Sequence, residues 1–202
     1  MLIEIYTDAT PLGVFGLVVL VPETGNWAYS AYPIPHKVLT EQVGSSAVRA
    51  ELYAMLWSTA WAQRTWPEAL VRAHTDSQVA AHAFGVLVGN FSIAPGWAKR
   101  LDLLARECDP QRCLLPVWLA REHTAIVACD RLARSYLSVD IESPAFRDRS
   151  RTTLRCLEAF FTSKLGSRSE ASRHLRRQLW RREPRGKLPN KRAVLVGRKT
   201  SW

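Results

Sequence analysis

Three β-rich stretches follow one another within the first 34 residues, and the breaks between them are too short to hold anything but turns. Leu2–Thr7 is apolar and runs up to Asp8, Val14–Val21 is dense in Val and Leu, and Trp27–Ile34 alternates. Ala9-Thr10-Pro11-Leu12-Gly13 and Pro22-Glu23-Thr24-Gly25-Asn26 supply the Pro and Gly that tight turns use. A parallel crossover needs a dozen or more residues, so strands this close in sequence pair antiparallel. The chain therefore opens as a meander.

Helical patterns then interrupt the strands. After the polar stretch Thr40–Ser46, Ala47–Arg64 is rich in helix formers, with Leu52, Met55, Leu56 and Thr59 on one face. Trp66-Pro67 stops it, and Ala69–Thr75 reads as a fourth strand ending at Asp76. Ser77–Val88 predicts a helix with Ser77 as its N-cap, weakened in its second half by Gly85 and Gly89. Asn90–Gly96 reads as a loop, Trp97–Cys108 as an amphipathic helix, Cys113–Ala120 as the last strand and Ala125–Leu137 as a closing helix. The order βββαβααβα implies an α/β domain with a five-stranded mixed sheet over residues 1–138.

Charge divides the chain at the same place. Residues 1–139 hold 11 Lys+Arg against 12 Asp+Glu, whereas residues 140–202 hold 17 against 6. The net charge of +10 comes from the last third, which points to a polyanionic partner for that segment. Asp140–Ser143 reads as a linker and Phe146–Phe161 as a helix; the capping box Ser167-x-x-Glu170 opens another, Ser169–Arg182. Arg173, Arg176, Arg177, Arg181 and Arg182 on that helix are the candidate nucleic-acid contacts, since Arg matches phosphate geometry. A solvated basic face is the alternative.

Other classes are excluded. The longest apolar run, Gly13 to Pro22, is about half of a bilayer crossing, and the N-terminus lacks the basic lead of a signal peptide. Cys108, Cys113, Cys129 and Cys156 form no Cys-x-x-Cys pair and suit free thiols in a reducing, intracellular setting. His36, His74 and His82 read as structural, and Trp57 and Trp61, four apart on one helix, read as core.

Four acids stand out by placement. Asp8 and Asp76 end strands, Glu51 lies between Ala50 and Leu52, and Asp130 lies between Ala128-Cys129 and Leu132-Ala133. An acid in an apolar neighbourhood is costly unless a positive charge pairs with it. Four such acids could share one or two divalent cations, and hard oxygen ligands suit Mg²⁺ or Mn²⁺ over zinc. Taken singly, each acid is more often a turn or solvated residue.

The four motifs together resemble the ribonuclease H superfamily, most of all the domains attached to reverse transcriptases of hepadnaviral and retroelement type. They are Tyr6-Thr7-Asp8-Ala9-Thr10 followed by Gly13 and Gly16; Arg49-Ala50-Glu51-Leu52-Tyr53-Ala54; His74-Thr75-Asp76-Ser77; and Ala128-Cys129-Asp130-Arg131-Leu132-Ala133-Arg134. The resemblance covers residues 2 to about 138. It implies an RNase H-like fold, to which residues 139–202 add the basic, partly helical C-terminal extension read from charge, and a site in which Asp8, Glu51, Asp76 and Asp130 hold two Mg²⁺ ions, with Mn²⁺ able to substitute. It implies hydrolysis of the RNA strand of RNA–DNA hybrids, with no small-molecule cofactor. Cellular members carry a histidine about ten residues before the fourth acid, with an Asn between. Here His123 stands seven before Asp130 with no Asn, either as a proton shuttle or as an exposed loop residue.

A first strand at residue 2 leads to the expectation of a piece of a longer polyprotein, with a reverse transcriptase module upstream. Two rivals remain: a catalytically inactive module of the same fold that positions nucleic acid, and a DNA nuclease or strand-transfer enzyme. The complete acid set argues against the first, and Glu51 on the first helix against the second.

Overall fold

The computed structural model describes residues 1–40, 44–89 and 99–137. Strands β1 (Leu2–Thr10), β2 (Val14–Val21), β3 (Asn26–Pro33), β4 (Leu70–Thr75) and β5 (Val117–Trp118) form one sheet in the order β3-β2-β1-β4-β5. β1, β2 and β3 pair antiparallel, while β4 and β5 are parallel to β1. The expected α/β architecture with a five-stranded mixed sheet is what forms.

Helices α1 (His36–Leu39), α2 (Ser46–Thr65), α3 (Gln78–Val88), α4 (Lys99–Ala105) and α5 (Thr124–Leu137) complete the described chain. Alternation along the strands decides which helix covers which face. Ile3, Ile5, Phe15, Leu17 and Val19 point into a core shared with α2, while Tyr6, Val14, Val18, Trp27 and Tyr29 point towards α5. Covered on both faces, β2 is buried at every position, which is why it reads as a continuous apolar run. α2 is buried nearly all round, Trp57 and Trp61 included, because α1, α3 and α4 cover the sides the sheet leaves open.

Several elements depart from the sequence reading. β1 continues through Asp8 to Thr10, because β2 begins at Val14 and the ladder runs on, pairing Asp8 with Gly16 and Thr10 with Val14. The expected strand Cys113–Ala120 shrinks to Val117–Trp118. Pro110–Arg112 form a 3₁₀ turn, and Pro116 has no N–H to give the ladder. The segment still follows β4, through Leu114 N–H to Val71 O (2.8 Å) and Leu119 N–H to Thr75 O (2.9 Å). The one-turn helix α1, too short for a periodic signal, is an addition to the order βββαβααβα. α4 ends at Ala105 and not at Cys108.

Two buried polar side chains bind these connections. Arg49 donates from Nε to Val38 O (3.0 Å) and from its other nitrogens to Leu39 O and Gly44 O, fastening the chain before α2. Gln63 donates to Asp109 O (3.0 Å) and accepts from Asp109 N–H (2.8 Å), fixing the start of the run into β5.

Candidate metal centre

The parallel pairing of β1 and β4 brings two of the acids together. Tyr6 pairs with His74, so two residues further on Asp8 comes level with Asp76, at the carboxyl ends of both strands. Adjacent carboxyl ends of parallel strands are where open α/β sheets place their ligands. The even-numbered side chains of both strands face α5, and the rings of Tyr6 and His74 stack there at 4.4 Å. Glu51 arrives from the opposite face of the sheet. Ser45 caps α2 by accepting from Val48 N–H, and Glu51, in the second turn, accepts from Ala9 N–H through Oε1 at 2.9 Å.

One oxygen from each of Asp8, Glu51 and Asp76 falls within 4.8 Å of the others. Asp8 is 7% exposed and Glu51 8%. Burial pushes the Asp8 carboxyl up to about 6; a side-chain hydrogen bond with Glu51 and the Arg121 charge oppose the shift, while the Asp76 and Asp130 charges add to it. Burial, followed by the Asp8 charge, raises Glu51 well above the ordinary carboxyl range. Its second oxygen, Oε2, is buried without a hydrogen-bond partner among the described residues. Crowding three acids and leaving one oxygen unsatisfied is unfavourable for the apo protein. The same arrangement suits a hard divalent cation, whose oxygen ligands at about 2.0–2.6 Å can lie up to about 5 Å apart. No cysteine or histidine belongs to this described cluster, so the donor set fits Mg²⁺, Mn²⁺ or Ca²⁺ and disfavours zinc.

Asp130 stands at the margin. It lies outside the three-acid group and pairs with Arg134, Oδ1 to Nε at 2.6 Å, one turn along α5. Its charge nevertheless reaches Asp8. Gly16 is the reason α5 lies so close: a Cβ there would sit 2.1 Å from Cys129 O. Cys129, fully buried, donates its thiol to Tyr6 O at 3.2 Å, holding the helix on β1 one residue from Asp130.

His123 opens α5. Its Nδ1 accepts from Ala125 N–H at 3.3 Å, its carbonyl accepts from Val127 N–H at 2.9 Å, and its ring stacks on Tyr6 at 5.9 Å. The histidine is thus a helix cap within the aromatic stack that adjoins the acids. Arg173, Arg176, Arg177, Arg181 and Arg182 lie outside the described residues.

Sequence reading passed over two residues of the segment leading into α5. Arg121 Nε lies 3.3 Å from Asp76 Oδ2, and Trp118 Nε1 donates to Asp76 O at 3.0 Å. Neither carries a local signal, because both reach Asp76 across 42 or more residues of chain. No protein-family model matches this chain, and no curated protein does.

Proposed function

We propose that the chain is a metal-dependent nuclease of the ribonuclease H type, hydrolysing the RNA strand of RNA–DNA hybrids. The observation that carries this reading is the convergence of Asp8, Glu51 and Asp76 where β1 and β4 end, with a buried Glu51 oxygen lacking a partner. The mixed sheet and its helices are compatible with that fold.

In this reading Asp8, Glu51 and Asp76 hold the cation, and Asp130, from α5, completes the set with the second ion. Bound Mg²⁺ would lower the pKa of an attacking water and stabilise the departing 3′-oxygen. Glu51 and Asp8 stay in place because packed elements, the long buried helix α2 and the central strand, carry them. His123, anchored by its cap and stacked on Tyr6, holds the start of α5 against the sheet; its second ring nitrogen is the candidate for moving a proton. Preference for RNA would come from contacts to 2′-hydroxyls along a wide, shallow minor groove. The basic C-terminal third would add sequence-independent grip, and an upstream reverse transcriptase domain is the expected companion.

Cleavage of labelled RNA–DNA hybrid, RNA duplex and DNA duplex in Mg²⁺ or Mn²⁺, by the full chain and by Asp76→Asn, tests the proposal. The expected result is RNA-strand cleavage in the hybrid alone, reduced at least about 100-fold by the substitution, as expected for losing about 3 kcal/mol of transition-state stabilisation. Equal activity in Asp76→Asn would reject the site, and hybrid binding without cleavage would favour the inactive module.

A further inference from the structure

Arg121 and Asp76 make an unequal pair. The Asp76 side chain is 12% exposed and the Arg121 side chain 84%, so the carboxylate is fixed and the guanidinium sits on a free arm. Asp76 is held further by Trp118, whose indole N–H donates to its main-chain carbonyl. Trp118 also ties the segment that carries Arg121 to the end of β4, three residues before the arginine. The arm therefore starts beside the acids whatever its tip is bound to.

The other arginine on a candidate acid, Arg134 on Asp130, is an i,i+4 pair on one helix, an ordinary surface contact. Arg121 differs because it crosses from one element to another to reach an acid of the cluster. With the guanidinium open to water, solvent screening keeps the contribution of this pair to stability small. A cation bound through Asp76 takes the same carboxylate charge that attracts Arg121, and two positive groups that close repel each other. What then suits a planar guanidinium at this edge is a phosphate, which it can grip through two parallel N–H bonds.

Resting on the metal-site reading above, we propose that Arg121 is a phosphate ligand held in reserve: it neutralises Asp76 until a divalent cation takes that carboxylate, then turns to the nucleic-acid phosphate beside the cation. The arginine is thus a competitor of the metal and a partner of the substrate. Removing it has opposite effects on the two affinities, a signature that a merely structural arginine does not give.

The test compares the full-length protein with Arg121→Gln, Arg64→Gln and Asp76→Asn. Arg64 is a charge-matched control: it forms an exposed pair with Glu107, about 20 Å along α2 from Glu51 at 1.5 Å per residue. Mn²⁺ affinity is measured by calorimetry, and hybrid affinity with Ca²⁺ in place of Mg²⁺. Arg121→Gln is expected to bind Mn²⁺ about fivefold more tightly and hybrid about fivefold more weakly, on the order of one solvent-screened charge pair. Arg64→Gln should change neither. Loss of either change in Arg121→Gln overturns the proposal, as does a match to Arg64→Gln in both. Mn²⁺ binding as tight in Asp76→Asn as in the unsubstituted protein would instead remove the metal-site reading, and the proposal with it.

Discussion

Asp8 carries the sharpest tension at the level of single residues. It is a strand residue with paired neighbours on both sides, so its backbone cannot move away from Glu51 and Asp76 without breaking the ladder. Its carboxyl is raised from 3.8 to about 6, chiefly by burial. A raised acid favours the folded state below the unfolded pKa, and that contribution is lost as pH rises through about 6. In chelator, Asp8→Asn should therefore stabilise the protein at pH 7 by up to about 3 kcal/mol, with the gain shrinking towards pH 4. Thermal unfolding of both proteins across that range measures the difference; a gain that grew as pH fell would contradict it. The acid itself was legible in the sequence as a strand-end aspartate. Its burial was not, because burial depends on α5 and α2 arriving from elsewhere in the chain.

Among the elements, α5 and the run into β5 decide the site's shape. Gly16 faces α5, and an added methyl would collide with the Cys129 carbonyl, part of a helix backbone that cannot bend aside cheaply. Gly16→Ala is expected to cost about 3 kcal/mol, read as a lowered Tm, and to shift α5 and Asp130 away from β1. Full stability in Gly16→Ala would show that the helix has room to move. An unbroken apolar run for β2 and a length of helix formers with an apolar face for α2 predict bounds close to those observed. β5 was overdrawn because Cys113–Ala120 is apolar throughout, and apolar character does not reveal that a proline breaks the ladder. Gln63 carries no signal in the sequence, although it fastens the approach to β5 by pairing with both main-chain groups of Asp109.

For the whole molecule, a cation held by Asp8, Glu51 and Asp76 would make stability depend on its concentration. Three crowded carboxylates repel when apo, so saturating Mn²⁺ should raise stability by about 3 kcal/mol at a hundredfold excess over Kd. That gain should vanish in Asp8→Asn and Asp76→Asn. Unfolding scans with Mn²⁺ and with chelator check this, and an equal gain in Asp76→Asn would place the cation elsewhere. If the basic third of the sequence grips nucleic acid, replacing Arg173, Arg176, Arg177, Arg181 and Arg182 by Gln should flatten the salt dependence of hybrid binding by up to about 4 in log–log slope. An unchanged slope would assign the grip to the acid-bearing domain.

What the sequence by itself determined is the alternation of strands and helices and the identity of the acids, because periodicity, turn residues and polarity are local properties. Which acids meet was decided only in three dimensions. The parallel register of β1 and β4 sets Asp8 level with Asp76, α2 carries Glu51 across from the other face, and Asp130 stays at the margin with Arg134. Arg121 gains its place beside Asp76 the same way. Contacts between distant segments depend on how sheets and helices pack, and that information is spread over the whole core and not written next to any one residue.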